Sequence, residues 1–461
     1  MTNGRGFPAK GDMEERANRV LATLLTHGAR VIEVFVKEGY SIRAFLSGDG
    51  TRTVSFVREE GIAVRAWGEK GAEGFVSWVP SGQLDEDRSV DLLLRQLQAE
   101  GEGAPDLPGA VQIEEETPAT GARSPALEAT GAVEPLTETR AEAAAGVTRI
   151  LEEVQSASVR GDRQAIRLEG AWCESGRSRI HLLNSCGLKA THESVGCHLT
   201  LSVTAGQGEE VRRGYLGRNS RVIADLDPRR LTEELSWRTA APLGGADPPA
   251  GRAAVLLDST LACQLLQHMA PVFVASEETV SALRESRRVG PPGLRIVEQG
   301  PAAGEAGWDG EGLPRRPFCL VEDGRLVGLL TDLASARRFG LPPTGSAHRL
   351  SFRDRPAAAP ASLRLTLEGA AGANDMDRLL GRLAPGLFLT TARFFHAEGV
   401  SGGILVGGGM WIQGGRVAGP VRTLLPLGPL GVLARLQATG RSEGDWVEGA
   451  ESGSLLVSCG L

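Results

Sequence analysis

The sequence predicts an α+β protein: an N-terminal α+β domain, then a strand-rich C-terminal domain with mixed and antiparallel sheets and a few helices. Three observations lead there. Glycine and proline number 61 and 25 in 461 residues, and only 5% of residues are aromatic. Together Gly and Pro exceed the roughly 12% of average usage, which favours turns over long bundles. Short apolar runs of strand length recur between turn residues. Few stretches hold helical spacing.

Length is compatible with about three units of roughly 150 residues each. The divisions fall at 1–99 (N-terminal α+β domain), 100–137 (linker or insertion), 138–240 (strand-rich middle segment) and 241–461 (C-terminal domain). In the first, Met13–Thr26 reads as a helix with Val20, Leu21, Leu24 and Leu25 on one side. Strands are predicted at Val31–Val36, Ser41–Leu46, Thr53–Val57, Ile62–Ala66 and Gly74–Trp78. Gly48-Asp49-Gly50 and Glu60-Gly61 read as turns between them, and Val90–Leu97 as a second helix. Residues 100–137, rich in Pro, Gly, Ala, Thr and Glu, bury too little apolar surface to offset the entropy of ordering.

Thr139-x-x-Glu142 matches a capping box opening a helix to about Ser156. A meander follows: Ala165–Leu168, Arg177–Leu183, Leu188–His192, Cys197–Val203 and Val211–Leu216, with Asn184-Ser185-Cys186-Gly187 and Ala205-Gly206-Gln207-Gly208 as turns. Asp227-Pro228 supplies a cap and a first-turn proline for a helix to Thr239. Ala240–Gly251 reads as a short linker.

The chain then runs Ala253–Leu257 as a buried strand ended by Asp258. A helix follows, started by Ser259 and Thr260, with Leu261, Leu265, Met269 and Val272 at helical spacing. Ser276–Arg284 is helical, Arg287–Arg316 loop-rich, and Cys319–Val321 with Arg325–Leu330 a hairpin across Asp323-Gly324. Residues 340–362 read as loop. Strands follow at Arg364–Leu367, Leu387–Thr391, Ile404–Val406, Met410–Gln413, Arg416–Val421 and Leu455–Cys459, with one helix at Leu430–Gln437.

Net charge is −7 and the basic residues are scattered, so no nucleic-acid footprint is visible. No apolar run reaches the ~18 residues of a membrane span, and the N-terminal residues lack a signal-peptide core. Six cysteines in so long a chain make no disulfide framework, and cytoplasm is the expected compartment.

The chemical candidates are sparse. His181, Cys186, His192, Cys197 and His198 match no zinc-site spacing. Gly402-Gly403 and Gly407-Gly408-Gly409 lack the helix and Gly-Lys-Ser/Thr of a phosphate loop and read as hairpin glycines. Neither Ser185 nor Ser259 sits in a nucleophile elbow.

Five phrases do form a pattern: Asn184-Ser185-Cys186-Gly187-Leu188, Asp309-Gly310-Glu311-Gly312-Leu313-Pro314, Val321-Glu322-Asp323-Gly324-Arg325-Leu326-Val327-Gly328, the segment from Thr331-Asp332 to Arg337-Arg338-Phe339-Gly340, and Thr344-Gly345-Ser346. In this order and spacing they resemble the TldD/PmbA family of metallopeptidases, also called modulators of DNA gyrase. The resemblance runs from about residue 15 to the C-terminus and is weakest over 100–137. Charge gives the gyrase connection no support.

The resemblance implies a His-Glu-x-x-x-His helix just after two leucines, with a Cys near the C-terminus as third metal ligand. After Leu265-Leu266, Gln267 and Val272 stand at the two histidine positions and His268 at the glutamate. A second register puts Cys263, Gln264 and His268 on the three positions. Neither keeps both histidines and the acid, and 439–455 holds no Cys. The chain is therefore most similar to the PmbA (TldE) branch, which lacks the metal motif. This implies no cofactor in this chain, zinc in a TldD-type partner subunit, and a heterodimer that cleaves unfolded or modified peptides. Asp309, Glu311, Arg337 and Arg338 are candidates for peptide contact in the cleft. Two alternatives stay open: an active metallopeptidase with unusual ligands such as Cys263 and His268, and a non-enzymatic scaffold or homodimer.

Overall fold

The computed structural model describes residues 12–80, 83–101, 103–109, 140–158, 166–302, 305–368, 376–383, 385–396, 403–440, 446–447, 450–452 and 454–460. The α+β class is observed.

The first half is built on one antiparallel six-stranded sheet. In chain order come α1 (Asp12–Thr26), β1 (Val31–Ser47), β2 (Arg52–Trp67), β3 (Glu73–Trp78), α2 (Gln83–Gln96), α3 (Arg140–Ser158), β4 (Arg167–Asn184), β5 (Lys189–Gln207), β6 (Glu210–Ser220) and α4 (Pro228–Ala240). The strand order is β3-β2-β1-β4-β5-β6. Strands from both sides of 100–137 therefore share a single sheet. The predicted strands are pieces of longer ones: Val31–Val36 and Ser41–Leu46 are both β1, and Thr53–Val57 and Ile62–Ala66 are both β2. Glu60-Gly61 is not a turn. Gly61 pairs with Lys37 in mid-sheet, and a side chain there would collide with the Phe352 ring.

The helices cover one face. From α1, Met13, Ala17, Val20 and Leu24 are buried against β1–β3, whereas Leu25 points out and is 46% exposed. Val147, Ile150, Leu151 and Val154 of α3 and Leu231 and Leu235 of α4 fill the other half of that layer. Asp227 caps α4 by accepting from Arg230 N at 3.0 Å, with Pro228 in the first turn as the sequence implied. In the Asn184–Gly187 turn, Asn184 Oδ1 accepts from Cys186 N (2.9 Å) and Leu188 N (3.0 Å). The capping box at Thr139 and most of the 100–137 segment lie outside the described residues. Within that segment 103–109 packs on the body: Leu107 is buried with Trp67 and Leu333, and Pro108 O accepts from Asn184.

The second half runs β7 (Arg252–Leu257), α5 (Ser259–His268), α6 (Glu277–Arg284), β8 (Leu294–Glu298), β9 (Phe318–Glu322), β10 (Arg325–Leu326), α7 (Leu333–Phe339), β11 (Ala347–His348), β12 (Ala357–Ala358), β13 (Leu363–Leu367), α8 (Met376–Gly381), β14 (Gly386–His396), β15 (Gly403–Gln413), β16 (Arg416–Leu425), α9 (Pro429–Ala434), β17 (Leu436–Thr439), β18 (Trp446–Val447), β19 (Ala450–Glu451) and β20 (Leu455–Gly460). Two mixed sheets result, β10-β9-β8-β13-β19-β18 and β16-β15-β14-β7-β20-β17. Their facing apolar side chains and those of α5 make the largest core: Leu261, Leu265 and Leu266 pack with Leu320, Leu363, Leu387 and Leu455.

Several expectations in this half need correction. β8 lies in a stretch read as loop-rich, where the sequence predicts no strand. The Leu430–Gln437 helix ends at Ala434, and Leu436 begins a strand. Ile404–Val406 and Met410–Gln413 are one strand, β15, and the glycines between them are in-sheet. Residues 240–251 are not a free linker, since Arg422 N donates to Ala246 O (2.9 Å) and its Nε to Gly245 O (2.7 Å).

Candidate functional site

α5 is positioned from its first residue. β7 delivers the chain to Asp258, the helix cap, and α5 starts at Ser259 as the sequence implied. Asp258 Oδ1 accepts from Leu261 N at 3.0 Å, and its other oxygen receives Arg238 from α4. Arg238 also donates to Glu234 (2.8 Å) and Thr260 (3.1 Å). Asp258 is 4% exposed. Burial pushes its pKa up, while Arg238 and the Leu261 N–H pull it back. The pair ties the first half of the molecule to α5.

α5 stops at His268. Pro271 has no N–H to donate to Gln267 O, and Ala270–Phe273 continues as a 3-10 turn. The motif positions are thereby split. Gln267 is half-buried, His268 is exposed at the helix end, and Val272 is buried in the turn. In the second register Cys263 and His268 lie five residues apart, about 140° around a helix. Cys263 is fully buried in the core while His268 faces out. Neither register gathers its three residues.

Their chemistry does not fit zinc either. A valine and an amide side chain replace imidazoles, and hydrolytic zinc takes about three His, Cys or carboxylate ligands. Among the described residues no three His, Cys, Asp or Glu side chains are grouped to hold a metal. The His181–His198 set is dispersed: His181 contacts Thr191 (2.8 Å), Cys197 is buried, and His198 lies across β5 beside Trp172.

The predicted cleft residues occupy two different settings. Asp309 and Glu311 are 3% and 1% exposed, so the loop is not a solvated turn. Asp309 accepts from Glu311 N (2.9 Å), Leu313 N (2.9 Å) and Ala347 N (3.0 Å). Glu311 accepts from Leu333 N at the start of α7 (2.7 Å) and from Arg65 on β2 (2.7 Å). Arg65 also donates to Glu33 on β1 (3.1 Å), and Arg349 donates to the other oxygen of Glu33. Burial drives Glu311 up to about 7, against the pull of Arg65, and Asp309 up to about 6, against three N–H donors. Burial works against the Arg65 charge, but Glu33 and Glu311 outweigh it. By contrast Arg337 and Arg338 are at the surface: Arg337 donates to Ala104 O (2.7 Å) and Arg338 to Glu277 (2.8 Å).

Sequence reasoning missed Glu33, Arg65, Arg349 and Arg238. A signal existed for two of them. Glu33 and Arg65 are single charges inside apolar strand runs, Val31-Ile32-Glu33-Val34-Phe35 and Ile62-Ala63-Val64-Arg65-Ala66, where a charge needs a partner.

Comparison with known proteins decides the family. The PmbA/TldA metallopeptidase C-terminal domain model matches residues 250–458, and the central domain model of the same family matches 135–243. The chain belongs to the PmbA/TldD metallopeptidase family. A metalloprotease of Synechocystis sp. is 26% identical over 201 residues, 41% of this chain and 42% of that protein. A metalloprotease of Methanothermobacter thermautotrophicus is 24% identical over 260 residues, 52% and 55% of the two chains. The chain thus spans about half the length of the curated relatives it matches. Among solved structures, a candidate modulator of a DNA gyrase from Thermotoga maritima superposes with TM-score 0.76 at 17% identity, over 97% of this chain and 99% of that one. TldE from Thermococcus kodakarensis gives 0.75 at 14% identity, over 96% and 98%. At such identities these likenesses show the PmbA/TldD fold. No helix among the described residues is long and apolar enough to cross a membrane.

Proposed function

We propose that this PmbA/TldD-family chain is the non-metal subunit of a heterodimeric peptidase that acts on unfolded or modified peptides. Its partner is a TldD-type subunit that holds the zinc, and this chain walls the cleft. The observation that carries the reading is α5: the helix where the family's resemblance places a metal motif ends early and presents Gln267, an outward His268 and a buried Val272. Hydrolysis by zinc needs about three protein ligands and a general base, and the described residues gather no such group. The likeness of fold to TldE from Thermococcus kodakarensis agrees with this role. Peptide and partner are the macromolecules handled, without nucleic acid or membrane, in the cytoplasm.

The test is tagged capture from the native host followed by peptidase assay. A TldD-type subunit should co-purify, and chelator-sensitive cleavage of an unfolded peptide should need both chains. Cleavage by this chain alone would favour a metallopeptidase with unusual ligands such as Cys263 and His268. Capture of nothing but a second copy would favour a scaffold or homodimer.

A further inference from the structure

The six-stranded sheet has one face under α1–α4, and among the described residues only half of the other face is covered. There Trp308 and Phe352 pack on Phe35, Ala63 and Leu182. The half that the described residues leave open holds a trench of about 390 Å³ running across β2, β1, β4, β5 and the end of β6. Its floor is made of small residues in register. Ser41 lies opposite Gly176, and Gly176 opposite Gly196; Gly39, Ser178 and Ser194 form the adjoining row.

These glycines do not all have the same reason. An added Cβ on Gly39 would stand 3.0 Å from Arg177 O, and on Gly176 2.9 Å from Ser41 Cβ, so the sheet itself requires them. Gly196 is different. A Cβ there would meet nothing closer than Ser220 O at 3.7 Å, and its φ is not in the left-handed region. Mid-strand glycine costs roughly 0.5–1 kcal/mol. Such a glycine often marks a bulge, a tight bend or the close approach of a ligand or another backbone, and the β4–β5 register runs unbroken through Gly196, so it sits in no bulge.

The walls define the occupant. Lys37 is matched by Glu59 at 2.8 Å and Arg43 by Glu174 at 3.0 Å. A charged occupant would have to break a pair, whereas a neutral one leaves both intact. Trp172, 39% exposed, stands at the rim between His198 and Arg43 and offers an apolar surface. Five strands at about 4.8 Å spacing make a floor roughly 19 Å long, the reach of about six extended residues.

We propose that this trench binds an uncharged, extended stretch of polypeptide, its backbone over Gly176 and Gly196 and its side chains against Trp172. The inference rests on the reading that the chain handles unfolded peptides, and it adds a holding site on the first sheet.

The test is fluorescence anisotropy on the full chain alone. The probe is an acetylated, amidated, coumarin-labelled peptide of about nine Gly, Ser, Thr, Val and Leu residues, long enough to overreach the trench. Saturable binding is expected. It should weaken at least about tenfold, or 1.4 kcal/mol, in Gly196→Trp, which fills the trench, and in Trp172→Ser. Gly196→Ala should change it by less than about threefold, and two aspartates in the peptide should weaken it about tenfold. Absence of saturable binding by the wild type, or equal binding by Gly196→Trp, overturns the proposal. Should that variant not fold, Trp172→Ser decides, and unchanged binding there overturns it equally. Because no partner is present, peptide binding lost with partner capture kept rejects the trench alone. Capture lost with peptide binding kept rejects the heterodimer alone.

Discussion

Glu311 faces Arg65, Glu33, Asp309 and Arg349, and burial lifts its pKa to about 7 from an ordinary 4.5. Asp309 beside it rises to about 6 from 3.8. Raised carboxylate values mean that the fold favours the protonated forms. The stability this supplies is complete below the unfolded values and is lost as pH rises through the folded ones. Urea unfolding should therefore show stability declining from pH 4 towards 7.5, and Glu311→Gln should flatten the decline by about 2–3 kcal/mol. Identical slopes in variant and wild type would contradict the assignment. The Asp309–Glu311 phrase was legible as a motif. Its burial was not, because Arg65, the side chain that matches Glu311, is 246 residues away in sequence.

At the scale of elements, α5 depends on one carboxylate for two tasks. Asp258→Ala removes the cap acceptor and leaves Arg238, otherwise bonded to Glu234 and Thr260, without its buried partner. We expect a loss of about 3–5 kcal/mol in denaturant unfolding; a loss below about 1 kcal/mol would mean the pair is dispensable. Elements were legible where period and punctuation agreed, as in the Asp227-Pro228 start of α4 and the Asp323-Gly324 hairpin, whose residues adopt φ of 47° and 72°. They were misjudged where one residue carried another message. Gly61 looks like a turn but makes room for Phe352. Pro271 ends α5 four residues before the apolar spacing does, at His268. Leu294–Glu298 is too short a run to distinguish from loop without its partners β9 and β13.

For the whole molecule, Gly61 and Phe352 join the first sheet to the second half. Phe352 is 3% exposed and occupies the space a Gly61 side chain would need. Gly61→Val should cost about 1–3 kcal/mol by overpacking. In the Phe352→Ala background the same change should cost at least about 0.5 kcal/mol less, a coupling read by a double-mutant cycle in thermal unfolding. Strict additivity would mean the two do not meet. That the segments flanking 100–137 share one sheet was not legible, since strand pairing over such separations leaves no local trace. The order of the five phrases was legible and points to the family.

The central claim is that hydrolytic metal belongs to another subunit. Its most direct test is elemental analysis of this chain purified alone, beside a complex co-expressed with a TldD-type subunit. The account predicts no stoichiometric zinc in the isolated chain and one zinc per heterodimer. A tightly held zinc in the isolated chain, with chelator-sensitive peptide cleavage, would contradict it.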